Sequence, residues 1–247
     1  MTDQVPTTAM VLAAGLGKRM RPLTDTQPKP MLQLNGKPLI GHVMDRLVAA
    51  GVTRTVVNLH YLGYFIRDYL ATEDRLEVIF SEEGVLLETG GGIKNALPLL
   101  GSEPFFVMNS DVFWLDGYED TLVRLAREWK DDQMDGLLLL HSTVEGHGYD
   151  GKGDFVADPA GGLRRRPESE VTPWLFAGVQ ILHPRIFDSA EDGVYSLNVL
   201  FDKALKSDRL FGVVHDGEWF HIGTPEGLDE AEVFINEPFA GIKKRFT

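Results

Sequence analysis

The stretch LAAGLGKRMRPLTDTQPKP, residues 12–30, decides the fold prediction for this chain. An apolar run, residues 9–14, leads directly into Gly15 and Gly17, and such a run suits a strand covered on both faces in an α/β sheet. The two glycines let the backbone approach a ligand without a Cβ atom in the way. Bare amides beside fixed positive charge suit a polyphosphate, so we predict a phosphate-binding loop. The cations that follow the turn are Lys18, Arg19, Arg21 and Lys29.

Two common phosphate-binding motifs do not explain this stretch. The Walker pattern G-x-x-x-x-G-K-[ST] does not occur in the chain. The dinucleotide pattern G-x-G-x-x-G fails as well, because Met20 stands where the third glycine belongs. A basic loop that only faces solvent is the simplest alternative, but four cations and three prolines rarely crowd one turn. The prediction is therefore a phosphate loop of another kind.

Apolar segments alternate with helical patterns along the chain, which is typical of βα units. Gly51 is predicted to cap the helix before it. Ligands of open α/β sheets bind beyond the carboxyl ends of the strands, where Gly15, the glycines at 90–92 and Asp111 all fall. These motifs should therefore converge on one crevice. The predicted strands are 8–14, 54–59, 76–80, 105–109, 136–141, 153–157 and 174–183, and the predicted helices are 38–50, 62–71, 92–99, 196–206 and 225–236.

Composition limits the classes of function. The chain has 247 residues with 43% hydrophobic content, enough for a substantial core in a single domain. Its net charge of −13 disfavours nucleic acid and an anionic membrane as partners, because such contacts need a basic surface. The absence of cysteine excludes disulfides and thiol catalysis. The first ten residues lack a secretory signal and no apolar run is long enough to cross a membrane, so we expect a cytoplasmic protein.

The stretch at residues 12–30 resembles the amino-terminal signature of the sugar-1-phosphate nucleotidyltransferases. Further segments agree: SEEGVLLETGGGI (81–93) resembles the family's nucleobase-binding loop, and FFVMNSDVF (105–113) resembles the strand that ends in a metal-binding aspartate. WFHIGTPEGLDEA (219–231) resembles the family's carboxy-terminal segment. The resemblance implies that a nucleoside triphosphate and a sugar 1-phosphate form a nucleotide sugar and pyrophosphate.

The fold that this resemblance implies is a three-layer α/β/α, Rossmann-like (GT-A-like) open mixed sheet. It would form a single domain over residues 1–247, with a nucleotide-binding half at about 8–130 and a sugar-binding half at about 131–247. The oligomeric state that we expect is a monomer or a homodimer.

Two segments, LETGGGIKNALPLLG (87–101) and GKGDF (151–155), resemble most the branch of the family that uses UTP and N-acetylmuramate 1-phosphate in cell-wall (peptidoglycan) recycling. The first alternative is a guanylyltransferase for mannose 1-phosphate or heptose 1-phosphate. The residues leave the base open, since main-chain groups can pair with uracil and a carboxylate such as Glu82 or Glu83 can pair with guanine. An alternative from another class is a noncatalytic regulatory protein that binds a sugar nucleotide.

The chemistry requires charge neutralisation rather than a general base. A sugar 1-phosphate is already mostly dianionic near neutral pH, because its second pKa is about 6. The resemblance assigns Arg19 to the departing β and γ phosphates and Lys29 to the gap between the α-phosphate and the incoming sugar phosphate, where Pro28 and Pro30 restrict the backbone. The predicted nucleotide-binding residues are Ala13, Ala14, Gly15, Gly17, Lys18, Glu82, Gly90 and Asn109. The predicted sugar-binding residues are Asn109, Gly153, Asp154 and Gly178.

Asp111 and His221 are the predicted metal-binding residues, with Mg²⁺ as the expected ion and Mn²⁺ as an alternative. Asp111 ends an apolar strand, and a helix N-cap is its structural alternative. His221 stands where the resembled family has an aspartate, and imidazole suits Mg²⁺ poorly. Three alternatives are therefore open: Asp111 and the phosphates hold the ion alone, His221 favours a softer ion, or activity is reduced. A buried, hydrogen-bonded structural histidine is a fourth alternative, and Asp216 or Glu218 are possible substitutes for the missing aspartate. The run Arg164–Arg166 is expected in a solvated hairpin or loop.

Overall fold

A nine-stranded mixed sheet runs through the computed structural model, which describes residues 5–236. Its strands are β1 (Thr8–Leu12), β4 (Arg54–Leu59), β5 (Glu77–Glu82), β6 (Phe105–Asn109), β8 (Gly136–Ser142), β9 (Phe155–Ala157), β10 (Leu163–Arg165), β11 (Trp174–Leu182) and β12 (Leu210–Val214). Two small sheets pair β2 (Gln33–Leu34) with β3 (Lys37–Pro38), and β7 (Phe113–Leu115) with β13 (Glu218–Phe220). The helices are α1 (Leu39–Ala49), α2 (Gly63–Leu70), α3 (Glu88–Leu100), α4 (Thr121–Glu128), α5 (Asn198–Lys206) and α6 (Pro225–Asn236).

The order in which strands are added to the sheet reverses at β1. The chain builds outward from β1 to β4 and β5, all parallel, and then returns through α3 to place β6 on the other side of β1. Leu12 at the end of β1 is aligned with Asn58 of β4 and with Asn109 of β6. The carboxyl ends of these strands therefore open a crevice at a topological switch point, where ligands of α/β sheets bind.

The second half of the sheet is largely antiparallel and contains an irregularity beside the crevice. Strand β11 pairs antiparallel with β6 on one side and with β8 on the other. Its register with β8 passes from Phe176 opposite Leu140 to Gln180 opposite Leu138, so β11 carries extra residues there. Gly178 within this bulge has a φ of +80°, a conformation that favours glycine. The bulge turns this part of β11 toward the end of β6.

Helices cover both faces of the sheet. Helices α1, α2 and α4 pack on one face through buried side chains such as Val43, Ile66 and Leu125. Helices α3 and α5 pack on the other face through side chains such as Ile93 and Phe201. Successive residues of β1 enter the two clusters alternately. The three-layer α/β/α sheet predicted from the sequence is therefore confirmed.

A third buried cluster holds the segment after the glycine turn. Met20, only 1% exposed, packs with Leu34, Phe113 and Phe220, and Ala231 brings α6 into the same cluster. The buried Met20 fixes the short 3-10 turn in which Lys18 and Arg19 lie. The third cluster thereby holds these two cations at the mouth of the crevice.

Several predicted elements have the observed bounds, and others do not. The strands at 54–59 and 105–109 match, and Gly51, with a φ of +85°, follows α1 as expected. Strand β1 ends at Leu12 rather than at residue 14, because the Ala13 amide donates to the Asn58 side chain instead of a neighbouring strand. Helix α3 begins at Glu88 rather than at residue 92.

A helix and several strands after residue 110 were not predicted from the sequence. Helix α4, with Asp120 as an N-cap that accepts from two backbone amides, was not predicted, and neither were β7, β12 and β13.

Residues 1–4 and 237–247 of the predicted domain, and thus the last part of its predicted sugar-binding half, lie outside the described residues. Among residues 5–236, no helix has the length and the apolar character needed to cross a membrane.

Candidate active site

Three adjoining cavities open at the carboxyl edge of the sheet, and Asp111 lines all of them. The first, which we call the phosphate cavity, is lined by Gly15, Gly17, Lys18, Arg19, Lys29 and Ser110 among others. The second, the nucleoside cavity, is lined by Ala14, Asn58, Leu86, Glu88, Thr89 and Asn109 among others. The third, the sugar cavity, is lined by Asn109, Tyr149, Phe176, Gly178, Trp219 and His221 among others.

The phosphate cavity has an exposed row of backbone amides. Within residues 5–236, no amide from Ala14 to Gly17 donates a hydrogen bond to the protein. Gly15 has open space where a Cβ atom would lie, and Gly17 has a φ of +60°. The Thr24 hydroxyl donates to the Gly17 carbonyl at 2.8 Å and so holds the turn. The loop can therefore present several free N–H groups to an anion.

Lys29 and Asp111 form an ion pair at the meeting point of the cavities. The Lys29 Nζ lies 2.5 Å from the Asp111 Oδ2, and their side chains are 13% and 32% exposed. Pro28 is extended and Pro30 is buried, so the short turn that begins at Lys29 is fixed on both sides. Strand β7 follows Asp111, and the structure therefore rules out the helix N-cap alternative.

Ser110 connects the end of β6 to the end of β1 by hydrogen bonds. Its hydroxyl donates to the Leu12 carbonyl at 2.6 Å, and its amide donates to the same oxygen at 3.1 Å. These bonds fix the backbone immediately before Asp111. This bonding role of Ser110 was not predicted from the sequence.

The residues present suit a Mg²⁺ ion that shares its coordination with phosphate. Asp111 supplies a hard, partly exposed oxygen, and Mg²⁺ commonly keeps its other positions for water and substrate phosphates. Within residues 5–236, no cluster of three or more His, Asp or Glu side chains is arranged to hold a metal by itself. The protein therefore offers a partial site that a bound triphosphate can complete.

His221 lines the sugar cavity as a half-buried imidazole. Burial lowers the pKa of His221 below its ordinary value of 6.5, and the positive charges of Arg19 and Lys29 lower it further. Its ring packs against Tyr149 and Trp219 at centroid distances of 5.9 Å. The His221 backbone amide donates to the His147 carbonyl at 2.8 Å. The ring nitrogens make no hydrogen bond within residues 5–236, which disagrees with the hydrogen-bonded structural histidine considered from the sequence.

Asp216 and Glu218 do not reach the three cavities. Asp216 pairs with Arg124 at 2.9 Å, and Glu218 pairs with His147 at 2.8 Å. Both line a separate cavity. Glu218 faces away from Trp219 of the sugar cavity because successive residues of a strand point to opposite faces. The idea that either carboxylate replaces an aspartate at His221 is therefore wrong for this structure.

The nucleoside cavity contains only part of the predicted base-binding set. Glu82 is exposed and pairs with Arg67 outside the cavity. The Gly90 amide donates to the Tyr195 carbonyl at 2.9 Å, and a Cβ atom at Gly90 would lie 2.5 Å from the Tyr195 ring. Close packing against the segment at 193–197, rather than an open surface for a base, explains this glycine. Glu88 and Thr89, which were not predicted, line the cavity instead.

Glu83 lies behind the nucleoside cavity and forms a buried pair with Asn58, which lines the cavity. Glu83 is 5% exposed, and both of its oxygens accept hydrogen bonds from the protein. Glu83, which the sequence left open as a partner for guanine, therefore has both oxygens bonded to the protein. The pair escaped sequence analysis because the asparagine and the glutamate are 25 positions apart.

The sugar cavity likewise keeps some predicted residues and excludes others. Gly178 lies against Asn109: a Cβ atom at Gly178 would be 2.9 Å from the Asn109 Nδ2. The Asn109 side chain makes no hydrogen bond within residues 5–236 and is free to bind a ligand. Gly153 and Asp154 do not line any of the three cavities. The aromatic wall of Tyr149, Phe176 and Trp219 was not predicted.

Gly153 and Asp154 support the wall of the sugar cavity from behind. The Asp154 carboxylate accepts the Phe176 amide at 2.8 Å, and the Gly153 amide donates to the Tyr149 hydroxyl at 3.1 Å. Both partners line the cavity, so the predicted residues act one layer away from it.

The arginine run lies in the β9–β10 hairpin, as expected. Arg165 pairs with Asp202 of α5 at 2.7 Å. Arg166 donates to the carbonyls of Gly153, Pro167, Glu168 and Glu170 and closes the loop that follows.

Comparison with known proteins agrees with this geometry. A family model described as nucleotidyl transferase matches residues 8–237. The chain belongs to the nucleotidyl transferase family. This nucleotidyl transferase is 40% identical over 240 residues to N-acetylmuramate alpha-1-phosphate uridylyltransferase of Caulobacter vibrioides, with 95% of the chain and 99% of the relative covered.

More distant proteins share the fold of this nucleotidyl transferase. The mannose-1-phosphate guanylyltransferase catalytic subunit beta of Drosophila melanogaster is 29% identical, with 89% of the chain and 60% of that protein covered. The UDP-glucose pyrophosphorylase structure from Acinetobacter baumanii superposes with a TM-score of 0.78 and 20% identity, and 97% of each chain is covered. The names of these three proteins therefore include three different sugars and two different nucleobases.

Proposed function

We propose that this nucleotidyl transferase joins UTP to N-acetylmuramate 1-phosphate and releases pyrophosphate, with Mg²⁺ as its cofactor. Support for the substrates comes from the 40% identity to an N-acetylmuramate alpha-1-phosphate uridylyltransferase over nearly the whole of both chains. Support for the reaction comes from the joint placement of Arg19, Lys29 and Asp111 around one cavity. That placement is the observation on which the proposal chiefly rests.

The reaction needs no side chain to remove a proton. An oxygen of the sugar phosphate attacks the α-phosphorus of UTP, the bond between the α-phosphorus and the bridging oxygen breaks, and pyrophosphate leaves with the electron pair. The barrier comes from bringing two anions together, so fixed positive charge lowers it. Lys29 lies where the phosphate and sugar cavities meet and would neutralise the attacking and α-phosphate groups. Arg19 lines both cavities and would stabilise the leaving pyrophosphate.

Asp111, together with phosphate oxygens, would hold the ion. Bound Mg²⁺ supplies charge neutralisation at the phosphates. The short Lys29 contact keeps the Asp111 carboxylate oriented toward the cavity. His221 would line the sugar site as a neutral imidazole, since its lowered pKa disfavours the charged form beside two cations.

Pyrophosphate release tests this proposal directly. The purified chain is incubated with MgCl₂, one nucleoside triphosphate at a time and one sugar 1-phosphate at a time, and pyrophosphate is measured. The expected result is release with UTP and N-acetylmuramate 1-phosphate. Release only with GTP and mannose 1-phosphate or heptose 1-phosphate would assign the guanylyltransferase alternative. Nucleotide binding without release from any pair would instead support the noncatalytic regulatory alternative.

The cellular setting is part of the same proposal. An enzyme with these substrates would belong to cell-wall recycling and would work in the cytoplasm, where UTP is available. A monomer or a homodimer is compatible with a crevice that is formed within one chain.

A further inference from the structure

A relay of three hydrogen bonds connects the two walls of the nucleoside cavity. The Asn58 Oδ1 accepts the Ala13 amide at 2.7 Å, and the Asn58 Nδ2 donates to the Glu83 Oε1 at 2.6 Å. The other Glu83 oxygen accepts the Leu87 amide at 2.9 Å. Asn58 and Glu83 are 3% and 5% exposed. The relay therefore joins the ends of β1, β4 and β5 beneath the crevice.

Both ends of the relay are next to residues that line the cavities. Ala13 immediately precedes the free amides of residues 14–17 in the phosphate loop. Leu87 immediately precedes Glu88 and Thr89, which line the opposite wall. A shift of either amide would change the distance between the phosphate loop and that wall. The sugar cavity shares no residue with the relay.

The carboxylate of Glu83 is chemically suited to the middle of this relay. An ionised carboxylate accepts at both oxygens, whereas a glutamine has one acceptor and one donor end. Among residues 5–236, no Lys or Arg forms an ion pair with Glu83. A buried carboxylate without a cation is costly unless its oxygens are hydrogen-bonded. A Cβ atom at Gly92 would lie 2.6 Å from the Glu83 Oε1, so a glycine in α3 makes room for this side chain.

We propose that Asn58 and Glu83 are positioning residues that set the spacing between the phosphate loop and the nucleoside wall. They act on nucleotide affinity and leave sugar phosphate affinity unchanged. This inference rests on the proposed function only in placing the nucleotide in the phosphate and nucleoside cavities.

The test uses two single variants and their combination. Glu83→Gln keeps the shape of the side chain but turns one acceptor into a donor that faces either Asn58 or Leu87. Asn58→Asp places two carboxylates against each other. The double variant restores all three bonds and reverses only the middle one: Asp at 58 accepts from Ala13 and from Gln at 83, and Gln at 83 accepts from Leu87. Glu77→Gln, at an exposed glutamate on β5 that pairs with Arg54, is the matched control.

The measurements are the UTP Kd by titration calorimetry, the KM for UTP and the KM for N-acetylmuramate 1-phosphate, with the melting temperature as a check of folding. Each single variant should raise the UTP Kd and KM by about tenfold or more, because a hydrogen bond to a charged group is lost. The KM for the sugar phosphate should stay within about twofold. The double variant should return the UTP values to within about threefold of wild type, because the bonds are restored.

Equal rises in both KM values, or no change in either single variant, would overturn the proposal. A double variant that binds UTP as weakly as the single variants would also overturn it. If a single variant does not fold, the double variant decides: it must fold and bind UTP nearly as tightly as wild type. If the wild type binds UTP but releases no pyrophosphate with any sugar phosphate, the proposed function fails, and the Kd series still tests the relay.

Discussion

The two ends of the crevice differ in how they are built. The phosphate end comes mainly from one continuous stretch, residues 13–30, in which backbone amides and nearby cations are close in sequence. The sugar end is assembled from Asn109 on β6, Phe176 and Gly178 on β11, and Trp219 on β13. A site that is built from one continuous stretch of backbone can be predicted from a sequence. A site made by packing distant strands together cannot.

The sharpest test of the phosphate end is Lys29→Ala. The variant removes a fixed charge at the meeting point of two polyanions, and the loss of such a group from a preorganised site costs about 3 kcal/mol or more, or at least a hundredfold in kcat. Steady-state pyrophosphate release measures the effect. Lys203→Ala, at an exposed lysine of α5, is the control. An unchanged kcat would remove Lys29 from the mechanism.

Asp154→Ala distinguishes a residue that stabilises the wall of the sugar cavity from a residue that contacts the sugar. The variant leaves the Phe176 amide without its acceptor, so we expect a loss of about 1–3 kcal/mol in the free energy of unfolding. Denaturant unfolding measures this loss. The kcat/KM for the sugar phosphate should change less than about threefold, because the carboxylate does not line the cavity. A large fall in kcat/KM with unchanged stability would instead make Asp154 a sugar contact.

Gly178→Ala tests the bulge of β11 at the sugar end. The added Cβ atom meets Asn109 at 2.9 Å and sits at a φ of +80°, so we expect the KM for the sugar phosphate to rise about tenfold. Gly36→Ala is a matched control, because Gly36 has a φ of +73° and open space around its missing Cβ atom. A similar change in both variants would point to backbone strain alone.

The free energy of unfolding, measured as a function of pH, tests the buried His215. Burial lowers the pKa of His215 below 6.5, and nearby His141 lowers it further. The unfolded chain therefore takes up the proton first as the pH falls below about 6.5, so the folded state loses stability at lower pH and none is lost above that range. His215→Gln should reduce the slope between pH 6.5 and 5 by less than about 1.4 kcal/mol per unit. Denaturant unfolding at each pH measures the slope, and a slope that is unchanged relative to wild type would contradict this expectation. His60→Gln, at an exposed histidine, is the control.

Sequence reasoning was most successful where the cause of a structure lies within a few residues. The bounds of β4 and β6 follow from short apolar runs, and the glycine turn after β1 follows from Gly15 and Gly17. The assignment of Glu82 to the nucleoside cavity failed because its exposed side chain pairs with Arg67 of α2 outside the cavity, and the sequence does not show on which side of the sheet a strand residue lies.

Other errors have the same origin. Gly90 looked like a ligand-binding glycine, but its missing side chain makes room for Tyr195, more than a hundred positions away. The resemblance of residues 151–155 to a family segment predicted sugar contacts there, but the Asp154 carboxylate accepts a hydrogen bond from the backbone of β11. Such contacts depend on the packing of distant segments, which local pattern does not contain.

One consequence of the shared position of Asp111 concerns inhibitor design. All three cavities have this residue in their walls, so they adjoin one another and a single molecule can extend from one into the next. A compound that tethers a nucleoside to a sugar through a short anionic linker would gain avidity from effective concentration, on the order of a hundredfold or more over either fragment. A linker longer than the distance between the cavities would weaken that gain. Affinity measured as a function of linker length would therefore report this distance.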